Sequence, residues 1–230
     1  MNKINFSDNI QAQACYDLAT GSQESILCIG GAGVGKSTLI RAINESPVGN
    51  NTITLAHTGV AAMNVGGWTI SSMFGMPIGK LIFSDQVEKN LKLLYFSEQK
   101  HDVLANGIDI IIIDEISMVS SRTLDIIDVV LKGIKCREKP FGGYQMIFVG
   151  DPMQLPPIEN ENEHPEYKKR YKSEYFFDSH AFQKLNPLVI NLEKVYRQED
   201  TEFVNCLNNI RIGMDVENSL KIINSKTKKQ

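Results

Sequence analysis

The chain has 230 residues, 42% of them hydrophobic and 22% charged, with a net charge of −3. That is an ordinary globular composition, and a chain of this length buries roughly 70–75% of its unfolded surface without disulfide or metal staples. No basic field covers the molecule, so any nucleic-acid contact must come from a local groove, and no apolar stretch is long enough to span a membrane.

Taken in order, the N-terminus MNKINFSDN lacks the apolar core of a signal peptide, and a helical pattern runs from Asn9 to Ala19. Five short apolar runs follow at intervals: Ile26–Ile29, Ile53–Ala56, Ile110–Ile113, Met146–Val149 and Leu188–Leu192. They are apolar throughout and β-branched, which reads as strands covered on both faces. Helical patterns lie between them at Ser37–Asn44, Gly59–Met63 and Ser121–Gly133. Strands alternating with helices predict a parallel α/β sheet with right-handed crossovers.

Residues 75–107 are too long for a simple crossover. They hold a Gly/Pro loop and a predicted helix over Asp85–Phe96, and they read as an insertion on the rim of the sheet. The polar stretch Glu159–Ser173 is expected to be an exposed loop, and the tail Ser225–Gln230 a solvated end. Within that loop the run Tyr167–Lys172 is basic, but Glu159, Glu161, Glu163, Glu166 and Glu174 surround it. A solvated loop is favoured over a nucleic-acid site. The four cysteines make no C-x-x-C pair, and Cys28 reads as a small core residue. A reducing compartment follows: cytoplasmic, or nuclear or mitochondrial in a eukaryote.

Three stretches carry chemistry. GGAGVGKST, residues 30–38, follows a strand and opens a helix, and it matches G-x-x-x-x-G-K-[ST] at Gly30, Gly35, Lys36 and Ser37. Glycines let the backbone N–H groups of Gly31, Ala32, Gly33, Val34, Gly35 and Thr38 wrap a phosphate. Lys36 reaches the β- and γ-phosphates, and Ser37 offers a hydroxyl to Mg²⁺. In IIIIDEIS, Asp114 and Glu115 emerge at the carboxyl edge of the sheet, where ligands bind in open α/β folds. Asp114 would hold the Mg²⁺ through water, and Glu115 would orient or deprotonate the attacking water. In GDPMQLPP, residues 150–157, Gln154 projects an amide toward the γ-phosphate or the water, while Asp151 caps the turn.

These stretches occur in order with AHTGVAAMNVGGWTISSMF, PFGGYQMIFVGDPMQLPP and LEKVYRQEDTEFVNCLNNIRIG. Together they resemble the first RecA-like domain of the Pif-one helicases, the superfamily-one DNA helicases that move five-prime to three-prime. RecD-type helicases are near relatives. The resemblance extends from about Phe6 to Gly213. It implies a P-loop NTPase fold of the RecA type, with the five strands ordered 5-1-4-3-2 and a small inserted subdomain.

The resemblance also implies roles. Gln11, with Gln13 as the fallback, reads adenine, and Tyr196 stacks on the base. Arg197 contacts the γ-phosphate, a surface ion pair with Glu193 or Glu199 being the competing reading. Thr58, Gly59, Asn64, Gly66 and Gly67 line a path for single-stranded DNA. Phe74 is evenly divided between base stacking and core packing, and core packing is favoured for Trp68. His57 stands where the family usually has proline, and Ser71 where it usually has histidine.

The expected domains are a motor over residues 1–213 with a wedge-like insertion at 75–107. Residues 214–230 then lead to a second RecA-like domain that the chain does not contain. The expected activity is hydrolysis of ATP with Mg²⁺, stimulated by single-stranded DNA, in a monomer that engages single-strand/double-strand junctions. The alternative is a nucleotide-dependent binding switch without unwinding activity.

Overall fold

Apolar runs that need cover on both faces are satisfied by a parallel sheet layered between helices. The computed structural model describes residues 6, 8–77, 82–90, 94, 97–135, 138–158, 165–196 and 201–227. In chain order the sheet strands are β1 (Ile26–Gly30), β2 (Thr52–Ala56), β3 (Trp68–Thr69), β4 (Ile110–Asp114), β5 (Gln145–Gly150) and β6 (Leu188–Leu192). The helices are α1 (Ile10–Gly21), α2 (Lys36–Asn44), α3 (Gly59–Asn64), α4 (Ile70–Phe74), α5 (Ser84–Lys89) and α6 (Glu98–Asp102). They continue with α7 (Ser121–Lys135), α8 (Pro165–Arg170), α9 (His180–Leu185), α10 (Thr201–Ile212) and α11 (Val216–Thr227).

The strand order is β3-β2-β4-β5-β1-β6, and every pairing is parallel. This is the expected 5-1-4-3-2 arrangement with one more strand, the two-residue β3, added at the edge beside β2. Two residues carry no alternation, so β3 leaves no periodic trace in the sequence. Side chains alternate across β4 as strand geometry requires. Ile111 and Ile113 join one core with Phe74, Phe141, Phe148 and the α7 residues Leu124, Ile127 and Leu131. Ile110 and Ile112 join the other with Cys28, Ile147, Leu39, Ile40 and Ile43. The last strand departs from the expectation of two covered faces: Leu188 is 46% and Val189 61% exposed. β6 pairs only with β1 among the described strands, and at this edge the Val189 and Asn191 face is exposed, as is Leu188 at the start of the other face, which becomes covered toward Leu192.

Helix starts follow local capping chemistry. The Asn9 side chain accepts from the Ala12 N–H at 3.0 Å, and the Thr58 hydroxyl from the Ala61 N–H at 3.2 Å. Each satisfies a donor that a first turn otherwise strands. Three expectations need correction. The helix expected over Asp85–Phe96 spans Ser84–Lys89, Asn90 is non-helical, and residues 91–93, 95 and 96 lie outside the described set. In the tail, Ser225 is exposed as expected of a solvated end, but helix α11 continues to Thr227, and residues 228–230 lie outside the described set.

The third correction concerns the supposed loop Glu159–Ser173, of which residues 159–164 lie outside the described set and 165–170 form helix α8. Tyr167 and Tyr171, one helical turn apart, are 1% and 6% exposed and pack with Phe83 of the insertion. The Arg170 guanidinium lies 4.4 Å from the Phe83 ring centroid and donates to Asp85 at 2.6 Å. The Tyr167 hydroxyl meets the Ser121 hydroxyl at 2.7 Å. The lysines solvate one face of this helix while aromatic packing clamps the insertion to α7. Charge counting in the sequence saw only the lysines.

β5 ends where the chain after β4 turns sharply. A Cβ on Gly150 would stand 2.9 Å from the Ile116 backbone nitrogen and 2.9 Å from its Cγ2. Glycine therefore lets the two motif-bearing strand ends close on each other. Gly150→Ala is expected to destabilise the fold by about 1–3 kcal/mol through overpacking against backbone. Urea unfolding followed by circular dichroism measures it, and an unchanged midpoint would show that the two turns can separate.

Candidate functional site

The carboxyl ends of β1, β4 and β5 are neighbours in the sheet, so the loops that follow them converge. They line a cavity of about 600 Å³ that contains Lys36, Ser37, Asp114, Glu115, Gln154 and Tyr196. Ala32, Gly33, Val34, Gly35 and Thr38 complete its floor, and Phe6, Asp8 and Ala12 close the side toward α1. Gly31 instead faces α10, with its ideal Cβ position 3.8 Å from the Asn208 Oδ1.

The loop between β1 and α2 turns into the helix at Gly35, whose φ of 91° is left-handed. A side chain there would be strained by that backbone conformation, although its Cβ would meet the Tyr196 ring only at an ordinary contact distance of 3.8 Å. α2 then presents its unpaired N–H groups and the positive end of its dipole to the cavity. Ser37 and Thr38 are exposed on that first turn. The Lys36 ammonium folds back onto its own loop and donates to the carbonyls of Gly30 and Gly31, both at 2.8 Å. Burial pulls its pKa down, opposed by the carboxylates of Asp151, Glu115 and Asp114.

Asp114 is 5% exposed, and its pKa is pushed up to about 6. Desolvation is the largest cause, and the charge of Glu115 adds to it; the Glu115 N–H, which donates to Oδ1 at 2.9 Å, and Lys36 oppose it. Glu115 itself sits at φ 52°, ψ 46°. A left-handed glutamate is unfavourable by order 1–3 kcal/mol, and such strain concentrates at functional sites. Here it bends the chain so that two successive carboxylates border one cavity. A partly desolvated carboxylate with no ion pair among the described residues is what a divalent ion relieves, and the hydroxyl of Ser37 lies in the same cavity. The donor set therefore fits Mg²⁺.

Gln154 reaches the cavity on a turn organised by Asp151. The buried Asp151 carboxylate accepts from the Met153 N–H at 3.1 Å and from the Gln154 amide at 3.4 Å, as a turn cap should. It also receives Arg211 of α10 in a two-point contact, Nε to Oδ2 at 2.7 Å and Nη2 to Oδ1 at 2.8 Å. Burial raises the Asp151 pKa, but the Arg211 and Met153 hydrogen bonds outweigh it and the net shift is downward.

The far wall is a clasp between the two ends of the domain. The Tyr196 N–H donates to the Gly33 carbonyl at 2.9 Å, and its hydroxyl to Asp8 Oδ1 at 3.1 Å. Lys194 donates to Asp8 Oδ2 at 2.6 Å. Reading the sequence missed Asp8, Lys194 and Arg211. Arg211 stands in the quoted stretch NNIRIG but carried no assigned role, and the only signal was a cation in an otherwise half-apolar helix. Gln11 lies half-buried in the first turn of α1 and is not among the cavity-lining residues, whereas Gln13 donates to Asp17 at 2.8 Å. Arg197 lies outside the described residues.

The proposed DNA edge adjoins this site through the sheet. Ala56 pairs with Asp114 across β2 and β4, and with Thr69 across β2 and β3. Thr58 and Gly59 begin α3 two residues beyond Ala56, and Asn64 ends it, exposed. Gly66 has φ 66°, and Gly67 packs its backbone onto the Thr54 carbonyl. Of the two aromatic expectations, Phe74 resolves to its core-packing reading, and core packing fails for Trp68. Phe74 is 0% exposed, on the core-facing side of α4, and offers no face to a base; Trp68 is 53% exposed on the edge strand. The short α4 must bury one stripe against β2, and Phe74 falls on that stripe with Ile70 and Met73.

A family profile described as PIF1-like helicase matches residues 8–219. Among curated relatives, the human ATP-dependent DNA helicase PIF1 is 32% identical over 205 residues, covering 88% of this chain and 30% of that protein. The Trypanosoma brucei ATP-dependent DNA helicase PIF7 is 32% identical over 218 residues, covering 94% and 21%. Among solved structures, Bacteroides Pif1 bound to single-stranded DNA matches with TM-score 0.82 at 34% identity, covering 95% of this chain and 49% of that one. Pif1 from Bacteroides in complex with ADP-AlF3 and single-stranded DNA matches with TM-score 0.81 at 35% identity, covering 92% and 48%. The chain thus spans less than a third of these curated relatives and about half of these solved chains.

The raised pKa of Asp114 has a stability consequence of definite sign. Between the ordinary carboxylate value and about 6 the folded state holds a proton that the unfolded state has lost, so this group's contribution falls as pH rises through that window and stays lost above it. Asp114→Asn is expected to stabilise the ligand-free chain at pH 7 by about 1–3 kcal/mol, with the gain shrinking toward pH 4. Urea unfolding across pH checks it, and a loss of stability at pH 7 would contradict it.

Proposed function

The chain belongs to the PIF1-like helicase family, and from that premise we propose that it is the ATP-hydrolysing motor domain of a DNA helicase. The observation that carries this reading is that Lys36, Asp114, Glu115 and Gln154, from three separate motifs, line one cavity. Proposed bounds are residues 1–213 for the motor and 75–107 for a wedge-like insertion. Residues 214–230 would lead toward a second RecA-like domain, and the protein would act as a monomer on single-strand/double-strand junctions.

In this reading the loop N–H groups and the N-terminus of α2 hold the β- and γ-phosphates of ATP. Lys36 exchanges its two loop carbonyls for phosphate oxygens. Ser37 and Asp114 would hold Mg²⁺, which when bound neutralises phosphate charge and polarises the γ-phosphoryl group. Glu115 orients the attacking water and accepts its proton, and the Gln154 amide contacts the γ-phosphate or that water. Tyr196 leaves Asp8 to stack on the adenine, which Gln11 approaches from α1. Arg197 supplies positive charge to the transition state, a role worth about 10³–10⁵ in rate where measured. Single-stranded DNA would run along Thr58, Gly59, Asn64, Gly66 and Gly67, with exposed Trp68 rather than Phe74 as the stacking face. The pairing of Ala56 with Asp114 gives DNA at that edge a short mechanical route to the hydrolytic carboxylates.

Glu115→Gln is expected to lower ATP turnover by about 10²–10⁴ while leaving nucleotide affinity nearly unchanged. Single-turnover hydrolysis and equilibrium titration separate the two, and an equal loss in both would remove Glu115 from the chemical step. Wild-type turnover should rise with added single-stranded DNA, without strand separation of a forked duplex by these 230 residues. Turnover indifferent to DNA would favour the binding-switch reading, and robust unwinding would refute the need for a second domain.

A further inference from the structure

The cap of the Gln154 turn is overbuilt for a turn. Asp151 is a carboxylate with 1% side-chain exposure, and it is gripped by the planar fork of Arg211, sixty residues away. Each carboxylate oxygen is shared. Oδ1 takes Arg211 Nη2 at 2.8 Å and the Met153 N–H at 3.1 Å; Oδ2 takes Arg211 Nε at 2.7 Å and the Gln154 amide at 3.4 Å. The contact to Gln154 is the longest of the four, so Arg211 saturates the carboxylate and leaves the Gln154 amide loosely held. Arg211 also lies over the phosphate loop, with its Nε and Cζ 3.9 Å from the ideal Cβ position of Gly31. With the ATP reading above as its basis, we infer that Arg211 is a positioning residue of the hydrolytic site, acting through Asp151 to keep Gln154 available to the γ-phosphate.

The physical reason is competition for one buried charge. Without the fork, Asp151 keeps its negative charge in a desolvated place and must recruit the nearest remaining donors. Foremost is the Gln154 amide, already at 3.4 Å. That capture withdraws a γ-phosphate ligand while leaving the ADP portion of the cradle in place. Lysine at 211 would keep the charge but not the two parallel donors.

The test compares ADP with a β,γ-imido ATP analogue, both with magnesium, by calorimetric titration of the chain. The readout is the ratio of the two dissociation constants, which a general loss of stability does not move. Arg211→Ala is expected to weaken the triphosphate analogue roughly tenfold relative to ADP. Gln154→Ala should give a similar shift, and the double variant should be no worse than Gln154→Ala alone, because both act through one group. If Arg211→Ala does not fold, Arg211→Lys carries the same comparison with a smaller shift. An unchanged ratio in the variant that folds, or additive shifts in the double variant, overturns the role of Arg211. Failure of the wild-type chain to bind either nucleotide overturns the ATP reading itself, and the inference with it.

Discussion

The ammonium group of Lys36 lies half-buried among three carboxylates, those of Asp114, Glu115 and Asp151, and it spends its hydrogen bonds on two carbonyls of its own loop. That arrangement leaves charge unbalanced at the edge of the sheet. Arg211 compensates Asp151 directly, but Asp114 has no such ion pair among the described residues, and burial raises its pKa to about 6. A phosphate chain entering the cavity brings still more negative charge toward Asp114 and Glu115. The loop N–H groups and Lys36 answer part of it, and a divalent cation is the natural remainder. The unoffset carboxylate costs stability in the free chain and is relieved when the ligand arrives, which is the usual trade at a functional site.

Sheet topology delivers these groups. The β4-β5-β1 adjacency sets three strand ends side by side, so motifs far apart in sequence open into one cavity. The close approach at Gly150 and the left-handed turn at Glu115 tighten the junction. β2 and β3 extend the same edge away from the cavity, and the register of Ala56 with Asp114 joins the two regions through backbone hydrogen bonds rather than flexible side chains. A shift at Thr58 or Gly59 need travel only a few residues to reach Asp114.

Much of this was legible in the sequence because its chemistry is local. A phosphate loop, an acidic strand end and a capped turn each declare themselves within eight residues, and buried strands show as apolar runs. Strand order entered through the family resemblance and agrees with the sheet. Contacts between distant segments were not legible. Asp8 and Lys194 meet across 186 positions, and Asp151 and Arg211 across 60. No local pattern says which carboxylate a given cation will choose. The fates of Phe74 and Trp68 have a related cause, since burial of a lone aromatic depends on which stripe of a short helix or edge strand faces the sheet. α8 was hidden because its lysines dominate the composition while its two tyrosines carry the packing.

The central claim is that Lys36, now satisfied by its own loop, is held in reserve for a phosphate. A crystal structure of the chain with ADP, aluminium fluoride and magnesium tests it most directly. The account predicts that Nζ leaves the carbonyls of Gly30 and Gly31 for a ligand oxygen, with the metal between Ser37 and Asp114. A ligand bound elsewhere, or Lys36 still donating to both carbonyls beneath a bound nucleotide, would contradict it.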